Sequence, residues 1–199
     1  MQEVERTASS PRATLTEQSL LLLVATGAII ADQGSKLVVE QQLPLNHSWA
    51  PLTDYAHLFR ITHISNTGAA FGLFPSGSLL FGVVAGIVSL LILFYNYRLP
   101  AGHRLLRAAL GLQMGGALGN LIDRLRVGHV TDFLDFGPWP VFNLADLCIV
   151  SGVVLLGLLM LREERAALQA RRAAVPLEEE RQAAPLSTLQ RPSKHEPTT

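Results

Sequence analysis

Four long apolar runs decide what this chain can fold into. A helix needs about 20 largely apolar residues to cross the hydrocarbon of a bilayer, and four stretches approach that length. The first covers about 19–39 and is charge-free from Ser19 to Ala31, ahead of Asp32 and Lys36. The second, about 79–97, carries no charge at all. The third, about 105–125, is uncharged from Ala108 to Ile122, and the fourth, about 141–161, has Asp146 as its only charge. Charged residues make up 16% of the 199 residues, against roughly 25% in soluble domains. Most of them lie in the first 17 residues, in short connectors and after Leu161. The pattern predicts a membrane α-helical protein built as a four-transmembrane-helix bundle.

Composition narrows the function classes. A formal net charge of zero leaves no bulk electrostatic case for nucleic-acid binding. A single cysteine, Cys148, excludes an internal disulfide and any multi-cysteine metal site. It lies in an apolar run and reads as a packing residue. No histidine pair has zinc spacing, and His57 and His63 read as loop residues. No metal and no cofactor are therefore expected. The first apolar run is short enough to raise the question of a cleavable leader. Ala28 and Ala31 lack the A-x-A spacing, and apolar residues resume at Leu37–Val39, so it reads as a retained helix.

Arginine placement sets the expected orientation. Arg98, Arg104 and Arg107 cluster between the second and third runs, and Arg162, Arg165, Arg171 and Arg172 follow the fourth. Both segments should be cytoplasmic, as should both termini, leaving connectors 40–78 and 126–140 outside. The expected organisation is a tail over 1–17, a membrane domain over 18–161 and a second tail over 162–199. Residues 162–175 extend the last helix in this reading. From 176 the chain is rich in Pro, Glu, Gln and Ser and is expected to be largely disordered. In the first outer connector, His57–Ser65 is rich in β-branched and aromatic residues and Asn66-Thr67-Gly68 signals a turn. That predicts a small antiparallel β-sheet on the outer, periplasmic face.

Ionisable residues within membrane spans are costly, so each is a candidate for function. Asp32 and Lys36 are four apart and share a helix face. Asn120, Asp123 and Arg124 share another face, beyond a stripe of Gly111, Gly115 and Gly119 that permits close helix packing. Asn143 and Asp146 lie three apart at the start of the fourth run. A carboxylate there favours its protonated form unless a second carboxylate shares the proton. Asp132 and Asp135 in the second outer connector are both candidates, and periodicity does not choose between them. Two such aspartates titrate as a unit. One can act as base on water while the other, protonated, polarises a scissile carbonyl. The same polar set suits a small ion-coupled transporter, and that alternative stays open on spacing alone. A third reading is a structural subunit that recruits partners through its charged tail.

Five motifs then carry a resemblance. Asp32-Gln33-Gly34-Ser35-Lys36 resembles the D-Q-x-S/T-K element of the lipoprotein signal peptidases (signal peptidase II), and Asn66–Gly72 resembles their N-x-G-A-A-F-G element. Gly115–Arg124 is similar to G-G-A-x-G-N-x-x-D-R, Val130–Phe133 to V-x-D-F, and Phe142–Asp146 to F-N-x-A-D. All five occur in family order. The resemblance implies an aspartic endopeptidase whose catalytic pair is Asp132 and Asp146. Asp32, Lys36, Asn66, Gly68, Asn120, Asp123, Arg124 and Asn143 would support it or bind substrate. It further implies a diacylglyceryl-modified prolipoprotein as substrate, cut on the N-terminal side of the lipid-bearing cysteine. The setting would be the bacterial inner membrane, with membrane lipid and globomycin-type inhibitors as partners and a monomer sufficing. The connector Phe133–Pro140 is short compared with some members of that family, which leaves the shape of that loop open.

Overall fold

The computed structural model describes residues 13–68 and 78–183, with side chains described as far as Arg172. Among the described residues the order is α1 (Leu15–Gln42), β1 (Ser48–Trp49), β2 (Arg60–Asn66), α2 (Ser78–Arg98), α3 (Arg104–Val127), β3 (Val130–Asp135) and α4 (Leu144–Ala183). Residues 69–72 of the second motif, and the apolar run to Phe74, lie outside the described residues. Internal contacts divide the chain into a unit ending at Gly157 and another beginning at Leu158. Every site residue discussed below belongs to the first.

Caps, more than hydropathy, fix where the helices begin and end. Thr14 and Glu17 form a reciprocal capping box that starts α1 four residues ahead of the apolar run. Gly128, at φ 81°, takes the left-handed conformation that closes α3, its N–H donating to the Arg124 carbonyl at 3.1 Å. The last helix starts at Leu144 rather than 141 because Phe142 is held extended against β3. Its N–H donates to the Leu134 carbonyl at 3.1 Å, and its own carbonyl accepts from Leu134 at 2.7 Å. At the other end α4 continues past 176, where composition pointed to a disordered tail, as far as Ala183, the last of the described residues. Ala, Arg, Glu and Leu dominate the whole of 162–183 and carry strong helix propensity.

α1, α2 and α4 are each long and apolar enough to cross a membrane; α3 is comparable in length but less apolar. Its position explains the difference. It packs against both α1 and α2 and buries ten residues, including Arg107, Asn120 and Asp123. The core joins Leu21 and Ala25 of α1, Ile92 of α2 with Leu99 just beyond it, and Leu110 and Met114 of α3. A Cβ added at Gly115 would stand 2.7 Å from the Ala25 carbonyl oxygen, and one at Gly116 would strike the Ala145 carbonyl of α4. The glycine stripe therefore seats α3 on α1, and Gly116 seats it on α4.

The sheet takes β1 and β2 from the first connector and β3 from the second. Strand order is β1-β2-β3, antiparallel throughout. The second connector is thus a structural strand as well as a link. Ile64 faces Asp132 and Ser65 faces Thr131, with a register shift between Ile61 and Ile64. Arg107 also differs from the expectation of a connector charge. It is fully buried, donating to the Leu99 and Pro100 carbonyls at 2.9 and 3.2 Å and to the Asn96 carbonyl at 2.9 Å. A guanidinium reaching back from α3 ties down carbonyls in the last turn of α2 and just beyond it.

Candidate functional site

At the first turn of α4, Asn143 is the N-cap and Asp146 the third helical residue. The Asn143 side-chain oxygen accepts from the Asp146 N–H at 2.9 Å, while an Asp146 carboxylate oxygen accepts from the Asn143 N–H at 3.4 Å. This is the reciprocal capping arrangement with Asn and Asp in place of Ser and Glu. The cap leaves the Asn143 side-chain amide free to donate elsewhere. It donates to Asp132 at 2.6 Å and to the Asn120 side-chain oxygen at 3.1 Å. One side chain therefore starts a helix and joins the two aspartates.

Asp132 comes from the middle of β3. Its other oxygen accepts from the Asn66 side chain at 2.9 Å, which lies on the same face of the sheet two residues beyond Ile64, its cross-strand partner. The Asn66 side-chain oxygen takes the Gly68 N–H at 3.0 Å, which fixes the turn after β2. Burial pushes the Asp132 carboxyl up to about 7; the amides of Asn66 and Asn143 work against this, and the charge of Asp146 adds to it.

Asp135 stands three residues along the strand and points to the opposite face. Arg60 Nε donates to it at 2.5 Å and Thr62 at 2.7 Å. Burial acts to raise its carboxyl, but those two donors and the Arg60 charge hold it below the usual range. Asp135 belongs to the sheet, and Asp132 to the cavity shared with Asp146.

Behind the pair lies a buried polar network. Asn120 donates to Asp146 at 2.8 Å, and its oxygen accepts from Lys36 at 3.0 Å. The remaining donors of Lys36 meet Asp32 and Asp123, each at 2.8 Å, with all three side chains fully buried. Burying charge is costly unless it is paired and hydrogen-bonded, and here every Lys36 donor has a partner. Asp32 also accepts the Ala145 N–H at 2.9 Å, an N–H that the first turn of α4 leaves without an intrahelical partner. Gly119 permits this contact, because a Cβ there would stand 2.6 Å from an Asp32 oxygen. Arg124 donates to the Asn120 carbonyl at 3.0 Å and to the Gly68 carbonyl at 3.4 Å, and lies over the Phe81 ring.

Asp132 and Asp146 open onto one cavity of about 530 Å³, together with Asn66, Gly68, Asn120 and Arg124. Val130, Val141, Phe142, Leu147, Ile149 and Val150 give it an apolar wall, and Trp139 and Pro140 also line it. Such a site, apolar with a few convergent polar groups, suits an amphipathic ligand. All ten residues singled out from the sequence lie here, six on the cavity and Asp32, Lys36, Asp123 and Asn143 behind it.

Sequence reasoning missed four contributors. Gln33 donates to Asp32, to the Gly119 carbonyl and to Asp123; it stands inside the first motif and could have been singled out there. Thr131, Glu40 and Arg126 form a further contact set beside Asp132. The one signal for these was Glu40, an acid directly after the first apolar run, which the structure places in the last turn of α1.

Comparison with known proteins yields consistent matches. A family model described as signal peptidase (SPase) II matches residues 24–162. The lipoprotein signal peptidase of Moorella thermoacetica is 46% identical over 135 residues, covering 68% of this chain and 88% of that protein. That of Halothermothrix orenii is 41% identical over 146 residues, covering 73% and 98%. A solved bacterial membrane enzyme, determined by the in meso method at 2.3 Å resolution, aligns with a TM-score of 0.69 at 26% identity. The alignment covers 78% of this chain and 94% of that one.

Proposed function

The chain belongs to the signal peptidase II family, and from that premise we propose that it is an aspartic endopeptidase working through Asp132 and Asp146. Its substrate in this reading is a diacylglyceryl-modified prolipoprotein, cut on the N-terminal side of the lipid-bearing cysteine. The observation that carries the proposal is the shared cavity, where Asn143 donates to both carboxyls, through its side-chain amide to Asp132 and through its backbone N–H to Asp146. One carboxylate takes a proton from water, and the hydroxyl attacks the scissile carbonyl. The other carboxyl, protonated, donates to the carbonyl oxygen as charge develops there. Collapse of the tetrahedral species breaks the C–N bond, and the amine leaves with the proton taken from water. An Asp132 carboxyl at about 7 can hold or release its proton near neutral pH.

The membrane arrangement belongs to the same proposal. α3 counts as a fourth span because the other helices cover its polar and small residues, so lipid need not. The arginine bias puts both termini in the cytoplasm and the sheet at the periplasmic face of the inner membrane. A lipidated peptide then presents its scissile bond near the outer surface, where water is available. Peptide inhibitors of the globomycin type would compete for the same cavity, and one chain suffices for the site. The reading of these charges as an ion pathway is not favoured, since the Lys36, Asp32 and Asp123 side chains are closed upon one another.

The test is cleavage of a purified lipidated precursor. Asp132→Asn and Asp146→Asn should each abolish it, as globomycin should in the wild-type protein, while both variants still insert in the membrane. Full cleavage by either variant overturns the dyad.

A further inference from the structure

Glu40 occupies a place where a helix does not favour an acid. It lies in the last turn of α1, where the partial negative charge of the open carbonyls repels a carboxylate. Its partners account for it. Arg126 of α3 binds it with both terminal nitrogens, at 2.9 and 2.6 Å, the paired geometry that gives such contacts direction as well as strength. The Thr131 hydroxyl donates to the same carboxylate at 2.7 Å.

Thr131 is fully buried and immediately precedes Asp132. Its N–H donates to Asp123 at 3.3 Å, and Asp123 is held by Lys36 at 2.8 Å. Two lines of contact therefore start from Asp123. One runs through Lys36 and Asn120 to Asp146. The other runs through Thr131 to Asp132, and Glu40 with Arg126 closes it from the outer end. The strand carrying Asp132 is tied to α1 and α3 at the residue next to the carboxyl.

We infer that Glu40, acting through Thr131 and braced by Arg126, is a positioning residue that holds Asp132 in register with Asp146. This rests on the peptidase reading above. A displacement of about 1 Å in a reacting group can cost up to a hundredfold in rate, so a tie one residue away from Asp132 controls turnover more than substrate affinity.

The test uses the full-length protein in lipid nanodiscs, with kcat and KM measured on a diacylglyceryl-modified precursor peptide. Thr131→Val removes only the hydroxyl, and Glu40→Leu removes the acceptor. Each should lower kcat about tenfold with KM within twofold. The double variant should be no slower than the slower single variant, because both remove the same contact. Thr131→Ser, which keeps the hydroxyl, should recover most of the rate lost in Thr131→Val. An unchanged kcat in folded Thr131→Val overturns the inference, as does full additivity of the two losses. Equal loss in Thr131→Ser and Thr131→Val overturns it too, since packing would then be the cause. Failure of the wild-type protein to cleave the precursor would overturn the peptidase reading instead, so the two failures are distinguishable.

Discussion

Asn143 performs two jobs that substitution can separate. Its side-chain oxygen caps α4, and its amide holds Asp132. Asn143→Ala removes both and should cost about 1 kcal/mol of stability through the lost cap, along with most activity. Asn143→Ser restores a capping oxygen but cannot bridge to Asp132. It should recover the melting temperature without recovering turnover, which thermal unfolding and precursor cleavage measured side by side will show. Asp132 supports a prediction about pH. Its folded value of about 7 exceeds the ordinary 3.8, so the folded state holds this proton more tightly than the unfolded state does. Its contribution to stability is therefore greatest below about pH 4 and is lost as pH rises through about 7. Asp132→Asn, which cannot ionise, should gain thermal stability relative to wild type between pH 4 and 8. A difference that stayed flat over that range would contradict the assignment.

Between elements, the decisive contacts are those that only a glycine allows. Gly116 meets the Ala145 backbone at the start of α4, one residue from Asp146, and Gly119 meets the Asp32 carboxylate. Gly116→Ala must push α4 away from α3 and should destabilise by about 1–3 kcal/mol, as overpacking does, while lowering cleavage more than stability alone would explain. Gly27 of α1 has open space where a methyl group would stand, with nothing within 4 Å. Gly27→Ala should therefore be neutral or stabilise by up to about 1 kcal/mol, because alanine loses less backbone freedom in a helix. Thermal unfolding of the two variants in the same detergent checks both signs.

For the whole molecule, the property to test is which surface faces which compartment. The proposed orientation predicts that, in a Cys148→Ala background, cysteine at Asp54 reacts with a membrane-impermeant maleimide in intact spheroplasts. Cysteine at His103 should react only after lysis. The reverse pattern would turn the bundle over and move the cavity to the wrong side for a lipidated precursor. Truncation after Arg172 should leave cleavage intact, because every residue of the site lies before Gly157.

By itself the sequence determined the helices, the concentration of polar residues at one end of them, and the motif order that points to the family. Transfer of apolar side chains from water is nearly additive along a window, so runs such as 79–97 declare themselves without any partner. Tertiary structure decided the rest. Nothing local marked Val130–Asp135 as a strand, since its pairing depends on β2, roughly seventy residues earlier in the register it adopts. Only that pairing puts Asp132 and Asp135 on opposite faces and turns one of them toward Asp146. Helix ends moved for the same reason, with Phe142 held extended by β3 rather than by its own propensity. Arg107, readable only as a positive charge, is fully buried against the end of α2. Glu40, Arg126 and Thr131 lie as much as 91 positions apart, and hydrogen bonds over that separation depend on how helices and strands pack, which no window of sequence contains.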